Sequence, residues 1–313
     1  MRMNEAELWK NFKLGEELSI SGAFIYNGLR RFHEMKDLSF TDEMFEFLYE
    51  LSIGFERLFK IAIILFEHDN HSNQEKLEAS LFTHHHLVLL DRLKNKTKIN
   101  LGPPHVELLS LLDRFYKSYR YDRFKLYSPN PLKNETEALC ILLHKHLSVD
   151  ISKDVIFGGI KNVDKYRRFI RKTSLKISKI LYEVISSRAR ELNLYTYELR
   201  HGSKAETVFI REIDISHEDI LWKELLVFLM NTKDTSGYLE FLRSIPPLDF
   251  DPALISDYLD CFQSDASKSQ IMDELEHHYQ EMEEDQGKRI ELINIIGSPD
   301  VYFSSLEDDM ADD

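Results

Sequence analysis

Long stretches with apolar residues at helical spacing dominate this chain of 313 residues. The clearest stretch runs from Asp42 to Glu67, and its apolar positions recur every three to five residues: Phe45, Leu48, Ile53, Leu58, Ile61 and Leu65. This spacing places them along one face of an α-helix, which completes a turn in about 3.6 residues. Glycine and proline, which tight turns between strands require, number only 11 and 8. The sequence therefore predicts a mainly α fold, a multi-helix bundle with at most one short β-hairpin or strand.

Other helices are predicted on both sides of this one. Their ranges are Ser21 to Met35, Glu75 to Lys96 with an interruption near Thr83, Pro103 to about Tyr121, Glu135 to His146, Asn162 to Leu192, Ser216 to about Met230, two short helices within 236–262, and Lys268 to Glu284. Ser39 with Asp42, and Ser216 with Asp219, have the spacing of capping boxes at helix starts.

Two segments have β character, and several breaks suggest a division of the chain. Residues 149–162 contain β-branched residues and a glycine pair, which predicts a loop or short strand. Ala205 to Ile215 alternates enough to predict a connecting strand. With the break at Ser128 to Pro131, we expect four parts: a helical bundle (1–128), the long basic helix and connecting strand (129–215), a C-terminal helical region (216–300) and an acidic tail expected to be disordered (301–313).

Charge and cysteine content limit the class of protein. The formal net charge is −14, which favours solubility and leaves room for a local basic patch. Cys140 and Cys261 are far apart in sequence, so we expect free thiols in a reducing compartment. The most apolar run, Ile61 to Phe66, is too short to span a bilayer, and the polar N-terminal residues do not form a signal peptide. We therefore expect a cytoplasmic protein with no membrane partner.

The segment from Lys161 to Arg190 predicts an amphipathic helix with one cationic face. At about 100° per residue, six cations fall within roughly an 80° arc: Lys161, Lys165, Arg168, Lys172, Lys176 and Lys179. We call these six residues the basic stripe. Phosphates of a nucleic acid or nucleotide would offset the repulsion between these like charges. The alternatives are a solvated face, or pairing with carboxylates of the acidic segment between Asp273 and Glu284.

A second segment interleaves aromatic rings with cations. Between Arg114 and Lys125, four arginines and lysines are candidates for holding phosphates while neighbouring rings stack on bases: Arg114, Lys117, Arg120 and Arg123. The alternative is a helix end whose rings enter the core while the cationic groups reach solvent.

The histidines do not form a metal-binding pattern. His84, His85 and His86 are consecutive, and consecutive residues of a helix point about 100° apart, so three of them cannot share one ion. None of the 13 histidines belongs to an HExxH motif or to a zinc motif with paired CxxC. We interpret them as surface side chains, and we predict neither a metal nor a cofactor.

Three segments occur in an order that resembles a known helical family. Phe55 to Lys60 lies late in one long helix, Thr83 to His85 precedes a leucine-rich stretch, and Tyr116 to Tyr121 closes a helix. This set is similar to the helical core of the HEPN superfamily, the higher eukaryote and prokaryote nucleotide-binding domains, over roughly residues 20–126. The resemblance implies a small helical bundle and a role in bacterial phage defence or regulation.

Many members of that superfamily are metal-independent ribonucleases that use an arginine and a histidine a few residues later. The arginine stabilises phosphate charge and the histidine moves a proton near neutral pH. The region that resembles the family lacks such a pair. Elsewhere, Arg211 and His217 match the spacing, whereas Arg200 and His201 have the residue types side by side. These four are the candidate catalytic residues.

The sequence leaves three functions open. The first is a noncatalytic helical module that binds RNA or a nucleotide through the basic stripe and the aromatic segment. The second is a protein-interaction subunit of a larger complex, and the third is a HEPN-type ribonuclease. A protein partner or a homo-oligomer is expected.

Overall fold

The structure, a computed structural model, describes residues 3–69, 73–122, 124, 126, 134–149, 155–156, 159–210, 215–234, 236–262, 265–282, 285–299, 301 and 303. It divides into two compact units, unit 1 (Met1–Ile215) and unit 2 (Ser216–Asp313). The predicted mainly α fold is confirmed. The predicted break at Ser128 to Pro131 and most of the predicted acidic tail lie outside the described residues.

Unit 1 contains ten α-helices among its described residues. They are α1 (Glu5–Leu8), α2 (Leu14–Glu34), α3 (Thr41–Glu67), α4 (Gln74–Ser80), α5 (His86–Lys94), α6 (Pro103–Arg114), α7 (Arg120–Asp122), α8 (Asn134–Leu147), α9 (Asp164–Glu191) and α10 (Lys204–Phe209). Two π-helical segments, Trp9–Lys13 and Phe115–Tyr119, join α1 to α2 and α6 to α7, and Tyr197–Leu199 forms a 3₁₀ turn. An antiparallel hairpin pairs β1 (Val155–Ile156) with β2 (Gly159–Ile160).

The core of unit 1 is built around the antiparallel-packed apolar faces of α2 and α3, against which α9 also packs. The rings of Phe32 and Phe47 lie 4.6 Å apart between centroids. Gly54 lets the two helices approach closely, because a Cβ atom at this position would lie 2.5 Å from Cγ1 of Ile25. Burial of these large side chains is the main source of stabilisation in such a bundle.

Asn162 connects the end of α2 to the start of α9. Its buried side-chain amide donates hydrogen bonds to the carbonyl oxygens of Phe32, at 2.7 Å, and Met35, at 3.0 Å. These are carbonyl groups at the C-terminal end of α2, where the helix leaves acceptors without internal partners. The contact fixes where α9 begins.

Three predictions about local structure are wrong. The predicted strand over Ala205 to Ile215 is instead the helix α10 up to Phe209, capped by the Ser203 hydroxyl, which accepts from the backbone N–H of Glu206 at 3.1 Å. Its apolar residues are spaced as in a helix, and Ala205 and Phe209 are buried. Residues 211–214 lie outside the described part of the chain.

The other two corrections concern helix starts. The first helix does not begin at Ser21. Helical structure begins with α1 at Glu5, after a capping box formed by Asn4 and Glu7, and α2 itself begins at Leu14. Ser39 does not cap α3, whose N-cap position is Phe40. The Ser39 hydroxyl instead accepts a hydrogen bond from the backbone N–H of Ile160 in the hairpin, at 3.3 Å.

Unit 2 contains the helices α11 (Ile215–Asn231), α12 (Gly237–Ser244), α13 (Ile255–Asp260), α14 (Asp265–Glu281) and α15 (Gln286–Asn294) among its described residues. The two short helices predicted within 236–262 are confirmed, whereas α15 was not predicted. Tyr258 donates a hydrogen bond to the carboxylate of Glu274 at 2.8 Å, which links α13 to α14. No helix in the described part of the chain has both the length and the apolar composition needed to cross a membrane.

Candidate nucleic-acid interface

The basic stripe lies on the solvent side of α9. Lys161, which precedes the helix, and Lys165, Arg168, Lys172 and Lys176 are exposed, whereas Lys179 is partly buried. The opposite face enters the core through Tyr166, Ile170, Ile177 and Leu181, all buried, with Val163 and Val184 partly buried. The helix therefore presents its cations because its apolar residues are fixed against α3 and α6.

Part of the basic stripe has no carboxylate partner. Arg168 pairs with Asp164 at 2.8 Å, and Lys165 donates to the Leu147 carbonyl oxygen at 3.3 Å. Within the described residues, no carboxylate oxygen lies within 4.0 Å of the ammonium groups of three lysines: Lys172, Lys176 and Lys179. Their charges are therefore available to an anion from outside unit 1.

The stripe leads into a groove on the same helix. The groove has a volume of about 690 Å³ and lies between the C-terminal half of α9 and the loop that follows α5. Its cationic residues are Lys96, Lys98, Lys176 and Arg188. We call this the lysine groove. Lys176 belongs to both surfaces, so the groove continues the stripe.

The loop after α5 is held so that its lysines point outward. The backbone N–H groups of Lys96 and Thr97 both donate to the Leu93 carbonyl oxygen, at 2.9 and 3.0 Å. Ile99 is buried, whereas the flanking Lys98 is exposed. Lys96 and Lys98 were not predicted as site residues. The sequence shows only a high density of lysines, at positions 94, 96 and 98, and it does not indicate the turn that separates Lys94, at the end of α5, from the other two.

Arg188 is fixed in position at the far end of the groove. Its Nε donates to the Leu65 carbonyl oxygen at 3.1 Å, and one terminal nitrogen pairs with Glu191 at 2.8 Å. The guanidinium carbon lies 5.2 Å from the centroid of the Phe66 ring, a cation–π distance. Outside the groove, burial lowers the pKa of His105, and the charge of Lys176 lowers it further. The positive potential of Lys176 is therefore felt by its neighbours within unit 1.

The aromatic segment is only partly available for stacking. Phe115 is buried, and Tyr116 is covered by Arg120, whose guanidinium carbon lies 3.9 Å from the ring centroid. Lys117 pairs with Asp113 at 2.7 Å, and Arg114 is exposed. Arg123 lies outside the described residues. Phe115 and Tyr116 therefore follow the predicted alternative in which rings pack inward, whereas the rings of Tyr121 and Phe124 are exposed.

Two buried carboxylates each hold a histidine and a lysine at this end of α6. Glu56 contacts Nδ1 of His84 at 2.8 Å and pairs with Lys60 at 2.6 Å. Asp113 pairs with Lys117, and one of its oxygens lies 3.7 Å from Nδ1 of His85. We call these six residues the carboxylate–histidine cluster. Burial raises the pKa of Asp113.

The interpretation of the three consecutive histidines as surface side chains is wrong for His86. Only His86 belongs to a helix, and it is not a surface side chain. Its Nε2 donates to the Ser52 carbonyl oxygen at 2.8 Å, and burial lowers its pKa. His84 and His85 precede α5, with side chains 52% and 44% exposed. Among the described residues, no group of three or more metal-ligating side chains could hold an ion.

Among the described residues, none of the predicted catalytic residues belongs to the basic stripe, the lysine groove or the carboxylate–histidine cluster. The side chain of His201 is 87% exposed and lies 3.4 Å from Glu206. Arg200 is exposed beside it, and His217 is exposed on α11 in unit 2. Arg211 lies outside the described residues, so its geometry with His217 is not described.

Comparisons with protein-family models, curated proteins and solved structures find no match to this chain.

Proposed function

We propose that unit 1 is a noncatalytic module that binds single-stranded RNA through the basic stripe. The observation that carries the proposal is the row of cations on the solvent side of α9, of which Lys172, Lys176 and the partly buried Lys179 have no carboxylate within 4.0 Å among the described residues. At 1.5 Å per residue, the stripe from Lys161 to Lys179 extends over about 27 Å. An extended row of cations suits the regularly spaced phosphates of a strand, and each contact gains from the release of a counterion.

The proposal includes two expectations from the sequence. The region over roughly residues 20–126 would be a HEPN-like core, and the protein would act in the cytoplasm in phage defence or regulation. The free thiols of Cys140 and Cys261 are compatible with a reducing compartment. Arg114, Lys117 and Arg120 would add phosphate contacts after the C-terminal end of α6, and the exposed rings of Tyr121 and Phe124 would stack on bases.

The test is a fluorescence-anisotropy titration of labelled single-stranded RNA at about 50 mM and about 200 mM salt, chosen because phosphate contacts are strongly salt-dependent. The variant Lys172→Gln/Lys176→Gln/Lys179→Gln should bind more weakly and lose about 2 from the salt slope, since each phosphate contact contributes about 0.7 for single strands. The matched control removes three exposed lysines of unit 2: Lys223→Gln/Lys233→Gln/Lys288→Gln.

The control has the same change in net charge, so it separates a local interface from general electrostatic attraction. We expect it to bind almost as the unmodified chain does. No binding at about 50 mM salt, or an equal loss in the two variants, would remove the proposal.

A second candidate function, metal-independent RNA cleavage, is favoured by the carboxylate–histidine cluster. His84 and His85 are adjacent in the chain, each beside a buried carboxylate, and the ring of Tyr116 lies 4.5 Å from that of His84 and 3.9 Å from the guanidinium of Arg120. One imidazole would accept the proton of a ribose 2′-hydroxyl as it attacks the phosphorus. The other, protonated, would donate to the departing 5′-oxygen while Arg120 neutralises the phosphate, giving a 2′,3′-cyclic phosphate and a 5′-hydroxyl.

A cleavage assay with four single variants separates the carboxylate–histidine cluster from the arginine–histidine pairs predicted from the sequence. Loss of cleavage in His84→Ala and His85→Ala, with cleavage kept in His201→Ala and His217→Ala, would assign the activity to the cluster. The reverse pattern would assign it to the residues predicted from the sequence. RNA left intact by the unmodified chain would exclude cleavage and leave the noncatalytic module.

A further inference from the structure

The lysine groove differs from the basic stripe because it is concave. Four cationic side chains and two carboxylates, Glu183 and Glu191, line it, which leaves an excess of two positive charges. Its size is in the range of sites that enclose a small ligand or one end of a larger one. An exposed helix face, in contrast, offers contacts on one side only.

The ion pairs inside the groove leave its lysines available. Arg188 neutralises Glu191 at 2.8 Å, and Glu67, beside the groove, is held by Arg92 at 2.5 Å. That hydrogen bond is the main reason why the pKa of Glu67 is lowered, and the charge of Lys96 contributes less. In the described part of the chain, Lys96, Lys98 and Lys176 have no carboxylate within 4.0 Å.

Neutral hydrogen-bond donors lie among these cations. Thr97, Asn100 and Ser187 line the groove, and their side chains form no hydrogen bond within the described residues. Hydroxyl and amide groups together with lysines are the donors that usually bind phosphate oxygens. The groove therefore combines charge with directional donors around one volume.

The charge along α9 changes from positive to negative where the basic stripe ends. The basic stripe stops at Lys179, and the next charged residue on the groove side is Glu183, an exposed carboxylate with no ion-pair partner among the described residues. A strand that continued past the groove would bring its phosphates near this carboxylate. A strand that ended in the groove would bring only its last phosphate near Glu183, among the four cationic side chains that also line the groove.

We propose that the lysine groove binds a phosphomonoester, namely the terminal phosphate of an RNA strand whose internal phosphates contact the basic stripe. The proposal rests on the proposed RNA binding of unit 1. A phosphodiester carries one negative charge. A phosphomonoester carries between one and two at neutral pH, because its second pKa is about 6. It also ends the chain, so it fits a concave site at the end of a row of cations. A free nucleotide carries the same group and is the other source of this ligand.

The test compares RNAs of one sequence with a 5′-phosphate, a 3′-phosphate or hydroxyl groups at both ends. We expect one phosphorylated end to bind about tenfold more tightly than the hydroxyl form, the effect of about one additional charge-assisted hydrogen bond. Lys96→Gln/Lys98→Gln should remove this difference and leave the binding of hydroxyl-terminated RNA nearly unchanged. Lys76→Gln/Lys94→Gln is the matched control, because it also removes two lysines, both exposed, and neither lines the groove.

A variant that is expected to gain affinity provides a further check, because partial unfolding of a variant would weaken binding. Glu183→Gln removes the unpaired carboxylate, so it should tighten binding of the phosphorylated RNA by a few-fold and change hydroxyl-terminated RNA less. Equal affinity for phosphorylated and hydroxyl ends, or a preference that survives Lys96→Gln/Lys98→Gln, would overturn the proposal.

A second measurement separates this proposal from the RNA-binding proposal. AMP and inorganic phosphate are titrated during thermal unfolding of the full chain, without RNA. Stabilisation by AMP that Lys96→Gln/Lys98→Gln abolishes and Lys172→Gln leaves intact would support the groove even if RNA does not bind, and would identify a free nucleotide as the source. RNA binding lost in Lys172→Gln/Lys176→Gln/Lys179→Gln but independent of the terminal phosphate would support the stripe and refute the groove.

Discussion

The two units have similar helical content and very different burial. In unit 1 the rings of Phe32, Phe47, Phe55 and Phe59 are completely or almost completely buried. From His217 onward, no residue whose burial the structure describes is buried, and Phe228 of α11 is 49% exposed. Most helical stability in proteins comes from the packing of an apolar face, because short helices are marginal by themselves. The comparison therefore indicates that packing holds unit 1, whereas local hydrogen bonds and ring contacts hold unit 2.

The two tryptophans of the chain make this comparison measurable. Trp9 lies in unit 1, with its ring 5.1 Å from that of His68, and Trp222 lies in unit 2, stacked 5.6 Å from Phe262. The variant Trp222→Phe therefore reports unit 1 alone by fluorescence, and Trp9→Phe reports unit 2 alone. We expect the Trp222 signal to change at a lower denaturant concentration than the Trp9 signal.

The largest expected effect comes from deleting one ring in each unit. Phe59→Ala should lower the free energy of unfolding of unit 1 by about 3–5 kcal/mol, since it removes a buried ring and leaves a cavity. Phe228→Ala should change unit 2 by about 0.5 kcal/mol, the usual range for exposed positions. Urea titration followed by each tryptophan measures both values. A loss above about 2 kcal/mol at Phe228 would mean that its ring is covered by another molecule or surface, and the comparison would fail.

The next prediction compares two asparagines whose side chains donate hydrogen bonds to backbone carbonyl oxygens at helices. Asn162→Ala should cost unit 1 about 1–3 kcal/mol, because the carbonyl oxygens of Phe32 and Met35 would lose buried donors. In unit 2, Asn231 donates to the Val227 carbonyl oxygen at 2.8 Å at an exposed position, where water can replace it.

Asn231→Ala should therefore cost about 0.5 kcal/mol or less, since an exposed carbonyl keeps a partner. Both changes remove a side-chain amide, which donates to two buried carbonyl oxygens at Asn162 and to one exposed carbonyl oxygen at Asn231. A loss more than twice as large at Asn162 therefore reports burial. Similar losses at the two positions would show that hydrogen-bond geometry, and not burial, decides the cost.

Spacing of apolar residues predicted the fold well where a helix packs on one side. The ranges of α3 and α9 differ from their predicted ranges by a few residues, because their buried positions repeat at the helical period. The same rule failed at α10, where Thr207, Val208 and Ile210 have the branched side chains of a strand. Burial of Ala205 and Phe209 outweighs that local preference, and a short window of sequence does not contain this tertiary information.

The candidate sites also differ in how far the sequence predicts them. The basic stripe lies on one helix, so its arrangement follows from the period of that helix. The lysine groove joins Lys96 and Lys98 to residues of α9 that lie 78 to 95 positions later in the chain. The carboxylate–histidine cluster joins α3, the segment before α5 and the end of α6. Such sites depend on how helices pack, and neither spacing nor composition predicts that packing.

The smallest expected effect is on the pH dependence of the free energy of unfolding of unit 1. Burial lowers the pKa of His86 below its usual value of 6.5, so the folded state keeps this imidazole neutral. Below about pH 6.5 the unfolded chain binds a proton that the folded chain does not, and the free energy of unfolding falls by at most about 1.4 kcal/mol per pH unit from this group. The decline continues until the pH reaches the lower, folded pKa. Burial also lowers the pKa of His68 and His105, which contribute with the same sign.

His86→Gln isolates the contribution of one imidazole, because glutamine keeps an N–H donor for the Ser52 carbonyl oxygen and does not titrate. Urea titrations between about pH 7.5 and 5.5 should give a shallower loss of stability in the variant when Trp9 is followed, and no difference between the two chains when Trp222 is followed. Equal slopes at Trp9 would mean that the folded state accommodates a protonated His86. A change at Trp222 as large as that at Trp9 would mean that the two units unfold together, and the difference in burial between them would then have no counterpart in stability.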